Sequence, residues 1–64
     1  MDQNELETEV EKLIVKGPKT LTELRNSLPT EITGLWVTFV LNKLEGAGRI
    51  RKAALGKYVH CQGA

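Results

Sequence analysis

Residues 33–57 decide the fold of this chain, and they read TGLWVTFVLNKLEGAGRIRKAALGK. The first part of this stretch is strongly apolar and free of proline, which is typical of a helix that packs on a core. The second part is basic and contains a turn glycine, which is typical of a hairpin. Gly46 and Gly48 lie at the junction, where glycine commonly ends a helix. The sequence therefore predicts a long helix followed at once by a short basic hairpin.

The long helix is expected over about residues 33–46. Thr30 or Thr33 can serve as its N-terminal cap, and Thr33 is preferred because it leaves Gly34 in the first turn rather than in the middle of the helix. Successive helical residues lie about 100° apart. On that spacing one broad arc forms the core face, and its members are Trp36, Val37, Val40, Leu41, Leu44 and Ala47. We interpret Trp36 as a packing residue rather than a stacking platform for bases, because a core this small needs its largest side chain.

The opposite arc of this helix is mixed in character, and its members are Gly34, Leu35, Thr38, Phe39, Asn42, Lys43 and Glu45. Leu35 and Phe39 are large apolar residues one turn apart, on a face that a three-helix unit does not need for packing. Three interpretations stay open for this pair. It is a protein interface, a contact to nucleic-acid bases or, if the helix is rotated, part of the core.

The hairpin is expected over about residues 49–61, with strands at 49–53 and 57–61 around Ala54-Leu55-Gly56. It carries four cations, which are Arg49, Arg51, Lys52 and Lys57. Their clustering favours contact with phosphates. The alternative is that they only protect an edge strand from aggregation.

The N-terminal segment predicts a first helix over about residues 5–16. Its apolar positions follow helical spacing, and they are Leu6, Val10, Leu13 and Ile14. The glutamates take the other side, which we expect to face water. Asn4 is the expected cap, and Gly17-Pro18 ends the helix because proline cannot continue one.

A second, short helix is expected over about residues 21–27. Thr20 and Glu23 have the spacing of a capping box, in which each side chain bonds the other residue's backbone N–H. Pro29 prevents extension of the helix and disfavours helical geometry at Leu28. Because two turns are too short to be stable alone, this helix must pack against the other two.

The overall composition limits the class of protein. A chain of 64 residues predicts one domain, and 41% hydrophobic with 27% charged residues is ordinary for a globular module rather than a disordered tail. The absence of a long apolar run and the acidic start predict a soluble, intracellular protein, located in the cytoplasm, with no membrane contact. Cys61 is the single cysteine and His60 the single histidine, so we expect no disulfide and no metal site.

Charge is unevenly placed along the chain, although the net charge is only +1. Residues 1–15 carry five acidic side chains against one lysine, whereas residues 16–64 carry eight Lys or Arg against three glutamates. This asymmetry suggests that the C-terminal part faces a polyanion while the first helix points away from it. The alternative, weighed equally from charge alone, is two solvated faces without a partner.

The order of elements resembles the winged helix-turn-helix superfamily over nearly the whole chain. The most specific part is LNKLEGAGRI at residues 41–50, which looks like the L-x-x-L-x-x-x-G-x-I exit from recognition helix to wing. Residues 20–24, TLTEL, look like the start of the supporting helix. The resemblance implies an α+β fold over residues 1–64, a three-helix helix-turn-helix unit followed by a two-stranded β-hairpin wing.

The resemblance also implies a DNA-binding module, most simply a small transcriptional regulator or part of one. The four hairpin cations would neutralise only about three or four phosphates, so we expect one copy to bind duplex DNA weakly as a monomer. Positioning contacts would come from the second helix and the wing, and base contacts from Thr38, Asn42 and Lys43. Asparagine can pair with adenine in a bidentate manner, while threonine and phenylalanine can contact the thymine methyl group. The expected nucleic-acid-binding residues are Thr38, Asn42, Lys43, Arg49, Arg51, Lys52 and Lys57.

A second hypothesis makes the domain an interaction module that binds a protein or its own copy through Leu35 and Phe39. An RNA-binding winged domain is a third, weaker hypothesis. We do not expect an enzyme, since the sequence contains no nucleophile motif, glycine-rich phosphate loop or metal cluster, and so small a core leaves no room for a ligand cavity. We accordingly expect no cofactor and no small-molecule substrate.

Overall fold

The computed structural model of the chain describes residues 1–61 and has an α+β fold. Three helices come first and a two-stranded antiparallel hairpin follows. The elements are α1 (Gln3–Lys16), α2 (Leu21–Ser27), α3 (Gly34–Gly46), β1 (Ile50–Lys52) and β2 (Tyr58–His60), with the turn Ala54–Gly56 between the strands. This is the predicted architecture, a helix-turn-helix unit that continues into a hairpin wing.

The start of α1 lies earlier than the sequence pattern predicts. The carboxylate of Asp2 accepts a hydrogen bond from the backbone N–H of Glu5 at 2.8 Å, so Asp2 is the cap. Asn4 lies inside the first turn instead, and the prediction that it caps the helix is wrong. Aspartate and asparagine are about equally good caps, and the sequence offered no means of ranking two such residues so close together.

The starts of α2 and α3 confirm the predicted caps. Thr20 and Glu23 form the capping box, with the N–H of Thr20 donating to Glu23 Oε1 at 2.9 Å and the N–H of Glu23 donating to Thr20 Oγ1 at 3.2 Å. The first of these bonds is the main reason that the pKa of Glu23 lies below its usual value. Thr33 Oγ1 accepts from the N–H of Trp36 at 3.1 Å and so begins α3.

The core is wholly apolar within residues 1–61, and all three helices, the α2–α3 connection and β1 contribute to it. Its buried members are Leu6, Val10, Ile14, Leu24, Leu28, Ile32, Val37, Val40, Leu41, Leu44 and Ile50. Trp36 packs against this cluster as expected. Ala47 is exposed, contrary to the expected core arc, because it is the C-terminal cap of α3 and the helix ends there without packing on the core. None of the described helices is long and apolar enough to cross a membrane.

In the hairpin β1 pairs with β2, and β2 also pairs with the connection between α1 and α2. Within the hairpin, Ile50 lies opposite His60 and Lys52 opposite Tyr58. Tyr58 also exchanges two backbone hydrogen bonds with Lys19, its N–H donating to the Lys19 carbonyl at 2.7 Å and its carbonyl accepting at 3.1 Å. This isolated bridge covers part of the outer edge of β2 and attaches the hairpin to the connection between α1 and α2.

Candidate nucleic-acid interface

The outer face of α3, defined here as Leu35, Phe39 and Asn42, is open to solvent. Leu35 is 83% exposed and Phe39 is 59% exposed. Asn42 is also exposed and lies one turn after Phe39. The helix is therefore not rotated, and the interpretation of Leu35 and Phe39 as core residues is wrong. A protein interface and a contact to bases stay open for them.

Thr38 lies at the side of this face and is half-buried. Its hydroxyl donates a hydrogen bond to the backbone carbonyl of Gly34 at 2.9 Å, one turn earlier in α3. The hydroxyl proton is thus already used within the helix. What Thr38 offers a partner is its methyl group and the lone pairs of its oxygen, which fits contact with a thymine methyl better than donation to a base edge.

Lys43 faces α1 rather than the outer face of α3. Its Nζ lies 3.0 Å from Glu7 Oε2. Gln3 donates to the same carboxylate oxygen at 3.0 Å and accepts from the indole N–H of Trp36 at 2.9 Å. These contacts join α1 to α3 through four side chains. The pKa of Glu7 is lowered, chiefly by the hydrogen bond from Lys43.

Glu11 forms a corresponding contact with the base of the hairpin. Its Oε2 accepts from Arg49 Nε at 2.9 Å and lies 3.0 Å from His60 Nε2. The backbone of Arg49 is also held, because its carbonyl accepts from the N–H of Cys61 at 2.9 Å. The hydrogen bond with His60 contributes most to lowering the pKa of Glu11, and Arg49 adds to it against the opposing effect of burial.

We call this set of contacts the α1 seam; its members are Gln3, Glu7 and Glu11 of α1 with Trp36, Lys43, Arg49 and His60. The seam corrects the expectation that all the glutamates of α1 face water, since the side chains of Glu7 and Glu11 are only 20% and 19% exposed. It also separates Lys43, an expected base contact, and Arg49, an expected phosphate contact, from the other expected nucleic-acid-binding cations. These two cations already have carboxylate partners inside the domain.

The remaining hairpin cations are in a different environment. Arg51, Lys52 and Lys57 are exposed, and within residues 1–61 none of them forms a salt bridge. Lys57 lies close enough to Glu23 to help lower the pKa of that carboxyl group. The structure thus leaves three of the four expected wing cations available to an anionic partner.

Two cations outside the hairpin lie beside the candidate surface, Lys19 next to β2 and Arg25 next to the start of α3, and neither was among the residues expected from the sequence. Lys19 lies beside β2 through its backbone pairing and, like Lys57, contributes to the lowered pKa of Glu23. Arg25 lies over the start of α3, where a Cβ added to Gly34 would come within 3.2 Å of Arg25 Cδ. Arg25 is the only cation of α2, a signal that could have identified it once positioning contacts from α2 were expected.

Comparisons of the chain with protein families, with curated proteins and with solved structures find no match. The arrangement of three helices and an antiparallel hairpin is compatible with a winged-helix layout. The features of this chain that bear on its function are therefore those of its own surface, namely the outer face of α3 and the cations around the hairpin.

Proposed function

We propose that this chain is a DNA-binding winged-helix module, of the kind found in small transcriptional regulators, that binds duplex DNA through the outer face of α3 and the hairpin. One observation carries the proposal. The cations sort into two groups, with Lys43 and Arg49 paired to α1 while Arg51, Lys52 and Lys57 are exposed on the hairpin and form no salt bridge in residues 1–61. A cluster of exposed, unpaired cations is the electrostatic feature that phosphate contact requires.

The outer face of α3 would read bases mainly by shape and apolar contact. An α-helix fits the major groove, and Asn42 is exposed in the second half of α3, where its amide could pair with adenine N6 and N7. Phe39, Leu35 and the Thr38 methyl group would contact the methyl groups of thymine. Such a surface prefers A·T-rich sites, because guanine is usually read by arginine or lysine and this face contains neither.

The proposed affinity of a single copy is low. Contact of Arg51, Lys52 and Lys57 with about three phosphates gives a log–log salt slope of about −3, which is shallow for a specific DNA-binding protein. Lys19 and Arg25 would add to this attraction. We therefore expect micromolar or weaker binding at physiological salt, and useful occupancy would need a second copy or a partner protein.

The direct test is a titration of isotope-labelled protein with an A·T-rich duplex at low salt, followed by amide chemical shifts. Shifts should concentrate at Thr38, Asn42 and the hairpin, and they should disappear as salt is added. Lys12 and Lys16 of α1 serve as internal controls, because they are exposed cations on the acidic helix. Equal shifts at these lysines and at the hairpin would mean non-specific attraction and would contradict the proposal.

A second candidate function is favoured by the exposure of Leu35 and Phe39. Two large apolar side chains one turn apart are a small patch of the type that forms protein interfaces. In this alternative α3 binds a second copy of the chain or another protein, and the hairpin cations only keep the edge strand soluble.

Sedimentation velocity over a range of concentrations tests self-association. Wild type should associate and Phe39→Asp should stay monomeric. Val15→Asp is the matched control, because Val15 on α1 is 58% exposed and Phe39 is 59% exposed. If both variants lose association equally, the association does not depend on α3 and the alternative is contradicted. If wild type is a monomer at every concentration, self-association is excluded.

A further inference from the structure

Leu55 at the tip of the hairpin has a backbone conformation that leucine rarely adopts. Its φ is 63° and its ψ is 25°, which is the left-handed region, and it is the only non-glycine residue within 1–61 with positive φ. Gly56 follows with φ 71°, and the N–H of Lys57 donates to the Ala54 carbonyl at 3.3 Å. Positive φ at both central residues is the pattern of a type I′ turn, where asparagine, aspartate or glycine is preferred because the Cβ of other residues is crowded.

The side chain of Leu55 is also unusually exposed. At 89% it has the highest exposed fraction of any large apolar residue in the described chain. Its neighbours Ala53, Ala54 and Gly56 are exposed as well, so no other part of the domain covers the leucine. The left-handed backbone and the lack of burial both disfavour leucine at this position in the free domain. Together they indicate that the leucine side chain contacts a partner.

The surroundings of the tip show what kind of partner fits. Residues 53–56 carry no charge, while Lys52 precedes them and Lys57 follows them. The two arms are held together, because the N–H of Ala53 donates to the Lys57 carbonyl at 2.6 Å. The tip is therefore a narrow apolar point between two cationic arms, which is complementary to an apolar gap bordered by anions.

Building on the proposed DNA-binding function, we propose that Leu55 is an apolar wedge that enters the minor groove and partly unstacks one base step of the duplex. The groove is about 6 Å wide with phosphates on both borders, so Lys52 and Lys57 would lie near opposite strands while Leu55 reaches the bases. Apolar wedges of this kind act between stacked bases. Unstacking costs least at flexible pyrimidine–purine steps, so the wedge adds a preference for a TA or CA step in the DNA beneath the hairpin.

An anionic lipid surface also offers apolar material beneath anions. A single leucine is a small anchor for a membrane. The duplex is the better match because it can contact both elements at once, with the exposed Asn42 of α3 in the major groove and the hairpin in the minor groove. The lipid partner is an outcome of the test below.

The test uses a short duplex that carries the fluorescent base aminopurine at a central TA step. Aminopurine emission rises on unstacking, and fluorescence anisotropy gives the affinity. Leu55→Asn creates the preferred Asn-Gly turn pair while removing the wedge, so it should raise the melting temperature of the protein. It should also weaken binding by about tenfold and abolish the rise in emission. Leu55→Ala should lose the emission change without gaining stability, and Val15→Asn on α1 should alter neither emission nor affinity.

The outcomes separate the two proposals. If wild type binds the duplex but Leu55→Asn binds equally well with the same emission change, the wedge is overturned and the DNA-binding function stands. If wild type binds no duplex at low salt, the proposed function is overturned and the wedge with it. If Leu55→Asn instead loses binding to phosphatidylserine vesicles while duplex binding is unchanged, the tip is a lipid contact and the wedge is again overturned.

Discussion

The α1 seam and the outer surface use the same residue types in opposite ways. In the seam, Lys43 and Arg49 each lie within 3.0 Å of a carboxylate oxygen of α1. The outer surface consists of the outer face of α3 and the cations Arg51, Lys52 and Lys57, which form no salt bridge within residues 1–61. The acidic helix therefore neutralises the cations nearest to it, and the charges of the chain are less separated in space than along the sequence.

The largest expected effect is on the free energy of unfolding, and it appears when two neighbouring residues of α3 are compared. Val40 is fully buried while Phe39 is 59% exposed. Val40→Asp places a charge in the apolar core and should cost about 3 kcal/mol or more, a large part of the stability of a small domain. Phe39→Asp should change the free energy of unfolding by only about 0.5 kcal/mol. Urea denaturation followed by circular dichroism measures both. A Phe39→Asp variant that unfolds would show that the outer face of α3 packs within the domain instead of facing solvent.

The next effect concerns the DNA binding that is proposed for the hairpin cations. Replacing Arg51, Lys52 and Lys57 together by glutamine should weaken duplex binding by about tenfold or more at low salt and make the salt slope shallower by about one unit per residue. Fluorescence anisotropy at several salt concentrations measures this change.

The seam cations provide the control for that measurement. Lys43→Gln and Arg49→Gln remove the same charge from positions already paired with α1. They should leave the salt slope nearly unchanged and reduce stability instead. An equal loss of slope in both sets of variants would remove the distinction between the seam and the outer surface.

A smaller effect is expected when the seam itself is opened. Glu11→Gln removes the charge that holds Arg49 and His60, and it should lower the free energy of unfolding by about 1 kcal/mol. Because Arg49 is then free, the salt slope for DNA should become slightly steeper. Glu9→Gln is the matched control, since Glu9 is on the same helix but lies 3.9 Å from its only described partner, Lys12. Identical losses of stability in the two variants would argue against a structural role for the seam.

The smallest expected effect is the acid dependence of stability. The folded-state pKa values of Glu7, Glu11 and Glu23 are lowered. Their contribution to stability is therefore complete above the ordinary glutamate pKa and is lost as pH falls through the lowered values. Urea denaturation at a series of acidic pH values should show this decline, and Glu11→Gln should make it less steep. A stability that rises on acidification would contradict the assigned hydrogen bonds.

The helices were predictable because the interactions that define them are local. The capping box at Thr20 and the cap at Thr33 each involve residues three positions apart, and the spacing of apolar residues identified the core face of α3. The predictions were wrong at two helix ends. At the start of α1, Asp2 and Asn4 were both possible caps, and at the end of α3 the helical spacing no longer applied to Ala47.

The composition of the candidate site was only partly predictable. The sequence located the cations but not their partners, because Glu11 is 38 residues from Arg49 and 49 residues from His60 in the chain. The backbone pairing of Lys19 with Tyr58 also joins segments that lie far apart in the sequence. The left-handed conformation of Leu55 had one local signal, the following glycine, which also allows other turns.

The three helices and the basic hairpin follow from the amino-acid sequence alone, because spacing, caps and turn residues act over a few positions. Which charges and apolar side chains are left for a partner follows only from the packing of the elements. That outcome depends on distances between residues far apart in the chain, and these distances exist only once α1 packs against α3 and the hairpin.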